Sequence, residues 1–72
     1  MQLLDVIRVY VDGDANGTWR VWIAGTRDDA RCADLGEARR LASRWAFDHR
    51  PSELIVRDAY HRVLKDELVE RE

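Results

Sequence analysis

The stretch Asp34-Leu35-Gly36-Glu37-Ala38-Arg39-Arg40-Leu41-Ala42-Ser43-Arg44-Trp45-Ala46-Phe47-Asp48-His49-Arg50-Pro51 decides the fold. Asp34 has the short acceptor side chain of an N-cap, and Glu37 three residues later imitates a capping box. From there to His49, the apolar residues Leu35, Ala38, Leu41, Ala42, Trp45 and Ala46 recur at helical spacing. Pro51 pushes Arg50 out of helical geometry, so the helix ends at or before Arg50.

On either side of this helix the pattern is that of strands. Leu3 to Val11 (Leu-Leu-Asp-Val-Ile-Arg-Val-Tyr-Val) is dense in β-branched and aromatic residues. Asp12-Gly13-Asp14-Ala15-Asn16-Gly17 supplies turn residues that tolerate positive φ, and Thr18 to Ala24 forms the second arm of a hairpin. Strand alternation sends Trp19, Val21 and Ile23 to one face and Arg20 and Trp22 to the other. Gly25 to Ala33 reads as a polar connection. After the helix, Glu53 to Arg57 and about His61 to Leu68 read as two more strands, with Asp58-Ala59-Tyr60 as their turn and a fraying tail from Val69.

The order is therefore β-β-α-β-β over a single domain, residues 1–72. One helix cannot cover both faces of a sheet, which predicts a two-layer α+β sandwich with a mainly antiparallel sheet. Trp19, Val21, Ile23, Leu54 and Val56 should meet Leu35, Ala38, Leu41, Ala42 and Trp45. A core of this size leaves on the order of 3–5 kcal/mol of net stability, and small domains so placed often gain more by oligomerising.

Composition bounds the function. No apolar run approaches the length of a membrane span, and Met1-Gln2-Leu3-Leu4-Asp5 lacks the basic start of a signal peptide, so a cytoplasmic location without membrane contact is expected. The formal charge of −2 and a pI near 5.6 are unlike a dedicated nonspecific nucleic-acid binder. The balance is uneven, however: residues 37–65 carry seven basic against four acidic residues, a net of +3. Eleven of the twelve bases are arginine, which fits interface use and fits a genome-wide codon bias equally well. The single cysteine, Cys32, excludes an intramolecular disulfide.

Few chemistries fit the remaining residues. Asp12-x-Asp14-x-Asn16-Gly17 matches the first half of a calcium loop, but the twelfth position, which needs a bidentate Glu, is Ile23. A hairpin turn is the simpler reading. Asn16-Gly17-Thr18 fits a glycosylation sequon that nothing would read without secretion. Cys32, His49 and His61 lack the spacing of a zinc site. His49 should lie on the buried helix face at its C-terminal end, where a cation is favoured. Cys32 among Asp28, Asp29 and Asp34 should have a raised thiol pKa and act as a packing residue rather than a nucleophile. Asp28 and Asp29 read as a solvated loop. No catalytic residue, metal site or cofactor is expected.

Two features remain. The sheet face opposite the helix should carry Arg20 and Trp22 with Arg8, Tyr10, Ile55 and Arg57. Such a set can stack on bases or form a protein contact, or can simply lie beneath a covering tail. On the helix, Phe47 flanked by Arg40 and Arg44 offers a second contact.

Trp19-Arg20-Val21, Gly25, the helix segment Glu37-Ala38-Arg39-Arg40-Leu41-Ala42 and Glu53-Leu54-Ile55-Val56 follow one another in an order seen elsewhere. From Trp19 onward the chain resembles the small, mostly bacterial domain-of-unknown-function family 2188. That family shows a Trp-x-Val strand, a Gly, a polar loop, an Ala-rich helix and a Glu-Leu-Ile/Val-Val strand. The chain departs from the pattern after Asp58, where the family carries Asp-Gly and this chain has Ala59-Tyr60-His61. The resemblance implies the β-β-α-β-β order and no catalytic residues, since the family has no established activity. The expected function is a non-enzymatic binding or assembly module, self-associating as a homodimer or holding another protein through the open sheet face. Nucleic-acid binding by Arg8, Arg20, Trp22 and Arg57 is the alternative.

Overall fold

The computed structural model describes residues 6–70, so the expected strand residues Leu3, Leu4 and Asp5 lie outside the described part. Five strands and one helix follow in the order β1 (Ile7–Gly13), β2 (Trp19–Ile23), β3 (Asp29–Cys32), α1 (Leu35–Asp48), β4 (Ser52–Arg57) and β5 (Val63–Val69). The strands form one sheet in the order β3-β2-β1-β4-β5, with α1 packed on one face. The two-layer α+β sandwich is as the sequence predicts.

The strand count and the sense of the sheet are corrected. Asp29–Cys32, expected within a polar connection, is a strand that pairs antiparallel with β2 (Trp19↔Cys32, Trp22↔Asp29). This third strand reverses the chain once more before the helix, so the helix delivers β4 parallel to β1 (Val9↔Leu54, Val11↔Val56). Without β3, a strand following the helix and lying beside β1 would have run antiparallel to it. The sheet is mixed as a result, with antiparallel pairings on both sides of one parallel pair at its centre.

The helix begins where the sequence places it. Asp34 Oδ1 accepts from the Glu37 backbone N–H at 2.8 Å, and the Glu37 carboxylate reaches back to the N–H of Ala33, one residue before the cap, at 3.0 Å. At the other end the chain leaves through His49, and Ser52, fully buried at the head of β4, donates its hydroxyl to the Ala46 carbonyl at 2.6 Å. His49 is exposed, not on the buried face as expected; its Nδ1 lies 2.8 Å from the Trp45 carbonyl, so it still meets the carbonyl-rich helix end.

Packing differs from expectation in one instructive way. The helix residues in full contact with the sheet are the alanines Ala38, Ala42 and Ala46, spaced four apart on one face. Leu35, Leu41 and Trp45 are only partly buried and pack around the rim. Small side chains let the helix lie close over Val9, Val11, Val21, Ile23, Leu54 and Val56, which complete the core with Cys32. Trp19 covers its cross-strand neighbour Gly13, where a Cβ would come within 3.0 Å of the indole. Val69, expected in a fraying tail, instead pairs with Ser52 in β5 and packs against the core.

Candidate functional site

The face of the sheet turned away from α1 carries Arg8, Tyr10, Arg20, Trp22, Ile55 and Arg57, the six residues that strand alternation assigned to it. Pairing arranges them in rows across the strands. One row runs Arg57, Asp12, Arg20, Arg31 and the next runs Asp66, Ile55, Tyr10, Trp22, Asp29. A third sets Leu68, Glu53 and Arg8 side by side.

Neighbouring strands lie about 4.8 Å apart, so aromatic side chains in register stand ring against ring. Tyr10 and Trp22 do this, with centroids 4.7 Å apart and planes inclined by 19°. Guanidinium groups close the stack at both ends: Arg57 lies 4.5 Å from the Tyr10 centroid and Arg20 4.9 Å from that of Trp22. Ile55, beside Tyr10 in the same row, is only 7% exposed although no helix covers it.

Asp12 ties the layer together. Its Oδ1 accepts from Arg57 Nε at 2.7 Å, and its Oδ2 accepts from Arg57 Nη2 and Trp22 Nε1, each at 2.8 Å. Burial alone raises a carboxyl pKa, but here the bonds from Arg57 and Trp22 outweigh it and hold Asp12 below its ordinary value. The other arginines of the face are also paired. Arg20 grips Asp29 through Nε and Nη2, the shortest contact being 2.7 Å, and this pairing lowers the Asp29 carboxyl. Arg8 Nε donates to Glu53 at 3.2 Å, and Arg31 Nη1 to Asp14 at 2.8 Å. Glu53 is the exception in direction: the neighbouring Asp66 carboxylate first, and then its own desolvation, push its carboxyl up against the pull of Arg8.

Asp12 and Asp29 also belong to this face, although the sequence reading places them elsewhere, in a turn and in a solvated loop. The parity Arg8, Tyr10, Asp12 along one strand was the available signal for Asp12. Asp14, the other acid of the apparent calcium loop, is occupied by Thr18 and Arg31, so this segment is a hairpin turn held by its own side chains.

The second expected contact is less organised. Phe47 is 56% exposed, with the Arg50 guanidinium 3.7 Å from its ring centroid, while Arg40 and Arg44 are exposed on the same helix. Cys32 is buried at the end of β3, and burial first, then Glu37 and Asp34, raise its thiol pKa. Among the described residues no three His, Cys, Asp or Glu side chains converge as a metal cluster, and no helix is long and apolar enough to cross a membrane. Compared with protein-family models, with curated proteins and with solved structures, the chain finds no match.

Proposed function

We propose that this domain is a non-enzymatic binding and assembly module that self-associates through the sheet face opposite α1. The supporting observation is the charge-balanced Arg-aromatic layer: Arg57, Tyr10, Trp22 and Arg20 are stacked, and each arginine is matched by a carboxylate. Tyrosine, tryptophan and arginine are enriched among the side chains that dominate protein contacts; the two aromatics bury large area with little loss of rotamer freedom, and arginine adds a planar fork of hydrogen-bond donors. A face carrying both signs can also complement a copy of itself rotated about a two-fold axis.

Sedimentation equilibrium of the parent and a Trp22→Ala variant tests this reading. A smaller assembly on removing the indole, through loss of the face-to-face contact, is the expected result. An unchanged oligomeric state in a folded Trp22→Ala protein counts against the face.

Nucleic-acid binding through Arg8, Arg20, Trp22 and Arg57 has less support. A phosphate would have to displace Glu53, Asp29 or Asp12 from guanidinium groups they already hold. An amide NMR titration with short single- and double-stranded nucleic acids distinguishes the two. Shifts at Trp22 and the neighbouring arginines that fade as salt is raised would favour the nucleic-acid reading.

A further inference from the structure

The far edge of the sheet is a second surface, separate from the open face. β5 is the outermost strand, so its outer row of backbone donors and acceptors has no strand partner among the described residues. It is also exposed along its length, only Val69 being partly covered. Val63, Leu64 and Leu68 are 59%, 57% and 55% exposed, an unusual load of apolar side chains for a free edge.

The sequence of β5 is Val63-Leu64-Lys65-Asp66-Glu67-Leu68-Val69. Read in either direction it gives Val, Leu, a charged residue, Asp, a charged residue of opposite sign, Leu and Val. We propose that two copies of the chain pair β5 to β5, antiparallel, about a two-fold axis at Asp66, making one continuous ten-stranded sheet.

Geometry selects this register. A two-fold axis that brings identical edges together stands perpendicular to the sheet. Paired residues must share a face, so the axis must pass between one residue and its own copy. With the axis at Asp66, Leu64 meets Leu68 and Lys65 meets Glu67, twice over; the bulge at Leu64 turns Val63 to the face of Arg57, opposite to that of Val69, so the matched pairing ends at Leu64. At Lys65, Lys65 opposes itself while Leu64 meets Asp66. At Glu67, Glu67 opposes itself while Asp66 meets Leu68 and Lys65 meets Val69. Only the Asp66 register matches apolar with apolar and opposite charges with each other.

Within one copy, Lys65 Nζ and Glu67 Oε1 are 3.9 Å apart and both exposed, a long contact that leaves each group free to take a partner across the edge. The one mismatched pair is Asp66 against Asp66 at the axis, which limits affinity and keeps the assembly reversible. Because both copies spend the same edge, pairing closes at two and does not propagate into a fibre.

The test uses the full chain in analytical ultracentrifugation. The parent should show a concentration-dependent monomer–dimer equilibrium. Lys65→Glu makes all the charges of the edge acidic, and Glu67→Lys sets lysine against lysine; each variant alone should dimerise at least tenfold more weakly. Mixed in equal amounts, the two variants should recover a dimer containing one copy of each. In that dimer the introduced carboxylate at position 65 faces the introduced ammonium at position 67, and the unaltered Glu67 of one copy faces the unaltered Lys65 of the other. Asp66→Asn should tighten the parent dimer several-fold. A monomeric parent up to millimolar concentration, a Lys65→Glu protein that dimerises like the parent, or two folded variants that fail to combine would each overturn the proposal. Trp22→Ala separates the surfaces: it should leave the edge dimer intact, whereas an assembly lost with Trp22 and indifferent to Lys65 belongs to the open face and overturns the edge.

Discussion

The two hairpins at the ends of this chain, β1–β2 and β4–β5, turn through the same five-residue loop. In Asp14-Ala15-Asn16-Gly17-Thr18, the Asp14 N–H donates to the Thr18 carbonyl, the Gly17 N–H to the Asp14 carbonyl, and Asp14 Oδ1 accepts from the N–H groups of Asn16 and Thr18. In Asp58-Ala59-Tyr60-His61-Arg62 every one of these bonds recurs, with Asp58 in place of Asp14 and Tyr60, His61 and Arg62 as donors and acceptor. Both carboxyls are held below their ordinary value, Asp14 first by the Thr18 hydroxyl and Asp58 first by the Arg62 N–H.

The differences lie around this shared frame. The left-handed position is Gly17 (φ 86°) in the first loop and His61 (φ 65°) in the second. The second oxygen of Asp14 accepts from the Thr18 hydroxyl and reaches Arg31 on β3, tying the hairpin to a third strand, whereas that of Asp58 holds only Arg62 of its own loop. The first hairpin also lies under α1 and is linked to β4 by Asp12, while β5 is exposed on both sides. One hairpin is thus fixed by several independent contacts. The other depends on its turn, its ladder with β4 and, in the edge dimer, a second chain.

The largest expected break in this asymmetry is at Asp12. Asp12→Asn keeps the size but removes the charge that Arg57 and Trp22 share. It should cost about 2 kcal/mol in urea unfolding, allowing for solvent at the Arg57 end. Because the Asp12 carboxyl is depressed in the folded state, its contribution is fully present above the ordinary value of 3.8 and is lost as pH falls through the folded value. The deficit of the variant should therefore be constant near neutrality and shrink below about pH 4. A deficit that persists in acid would mean that the amide is disruptive for steric reasons, and that the first hairpin does not owe its extra stability to this carboxylate.

Next in size is Gly17→Ala. A Cβ there meets nothing within 4 Å, so the whole effect is the left-handed backbone, worth about 1 kcal/mol of destabilisation. Finding no loss would show that the first loop can adopt another turn type, and that the likeness of the two hairpins is superficial.

How much of this was legible in the sequence follows from how local each determinant is. The helix start was readable because Asp34 and Glu37 act within one turn, and the open face because Arg20 and Trp22 alternate with Trp19, Val21 and Ile23. β3 was not. Asp29-Ala30-Arg31-Cys32 has no β-branched residue, and only Ala30 and Cys32 face inward, so its strand state comes from the free edge of β2 rather than from its own propensity. The parallel β1–β4 pair was lost with it. Asp12 as the tie of the open face was equally hidden, since its partner Arg57 is 45 residues away. The likeness of the two loops was masked too, because His61 stands where glycine is the usual signal.

That substitution gives the smallest and most discriminating prediction. His61 occupies a left-handed conformation that costs a side-chain-bearing residue about 1–2 kcal/mol, while a glycine would return about 0.4–1 kcal/mol of that through the greater freedom of its unfolded chain. His61→Gly should therefore raise stability by about 0.5 kcal/mol, read as a shift in the urea midpoint at constant slope. Removing the ring also removes whatever the imidazole contributes besides its backbone conformation. His61→Ala separates the two effects, because it removes the ring but keeps a Cβ at the same φ. The glycine protein should exceed the alanine protein by about 1 kcal/mol, matching in size the loss at Gly17. If the two variants at position 61 are equally stable, the backbone there carries no strain, and the difference between the hairpins rests on Arg31, Asp12 and the helix alone.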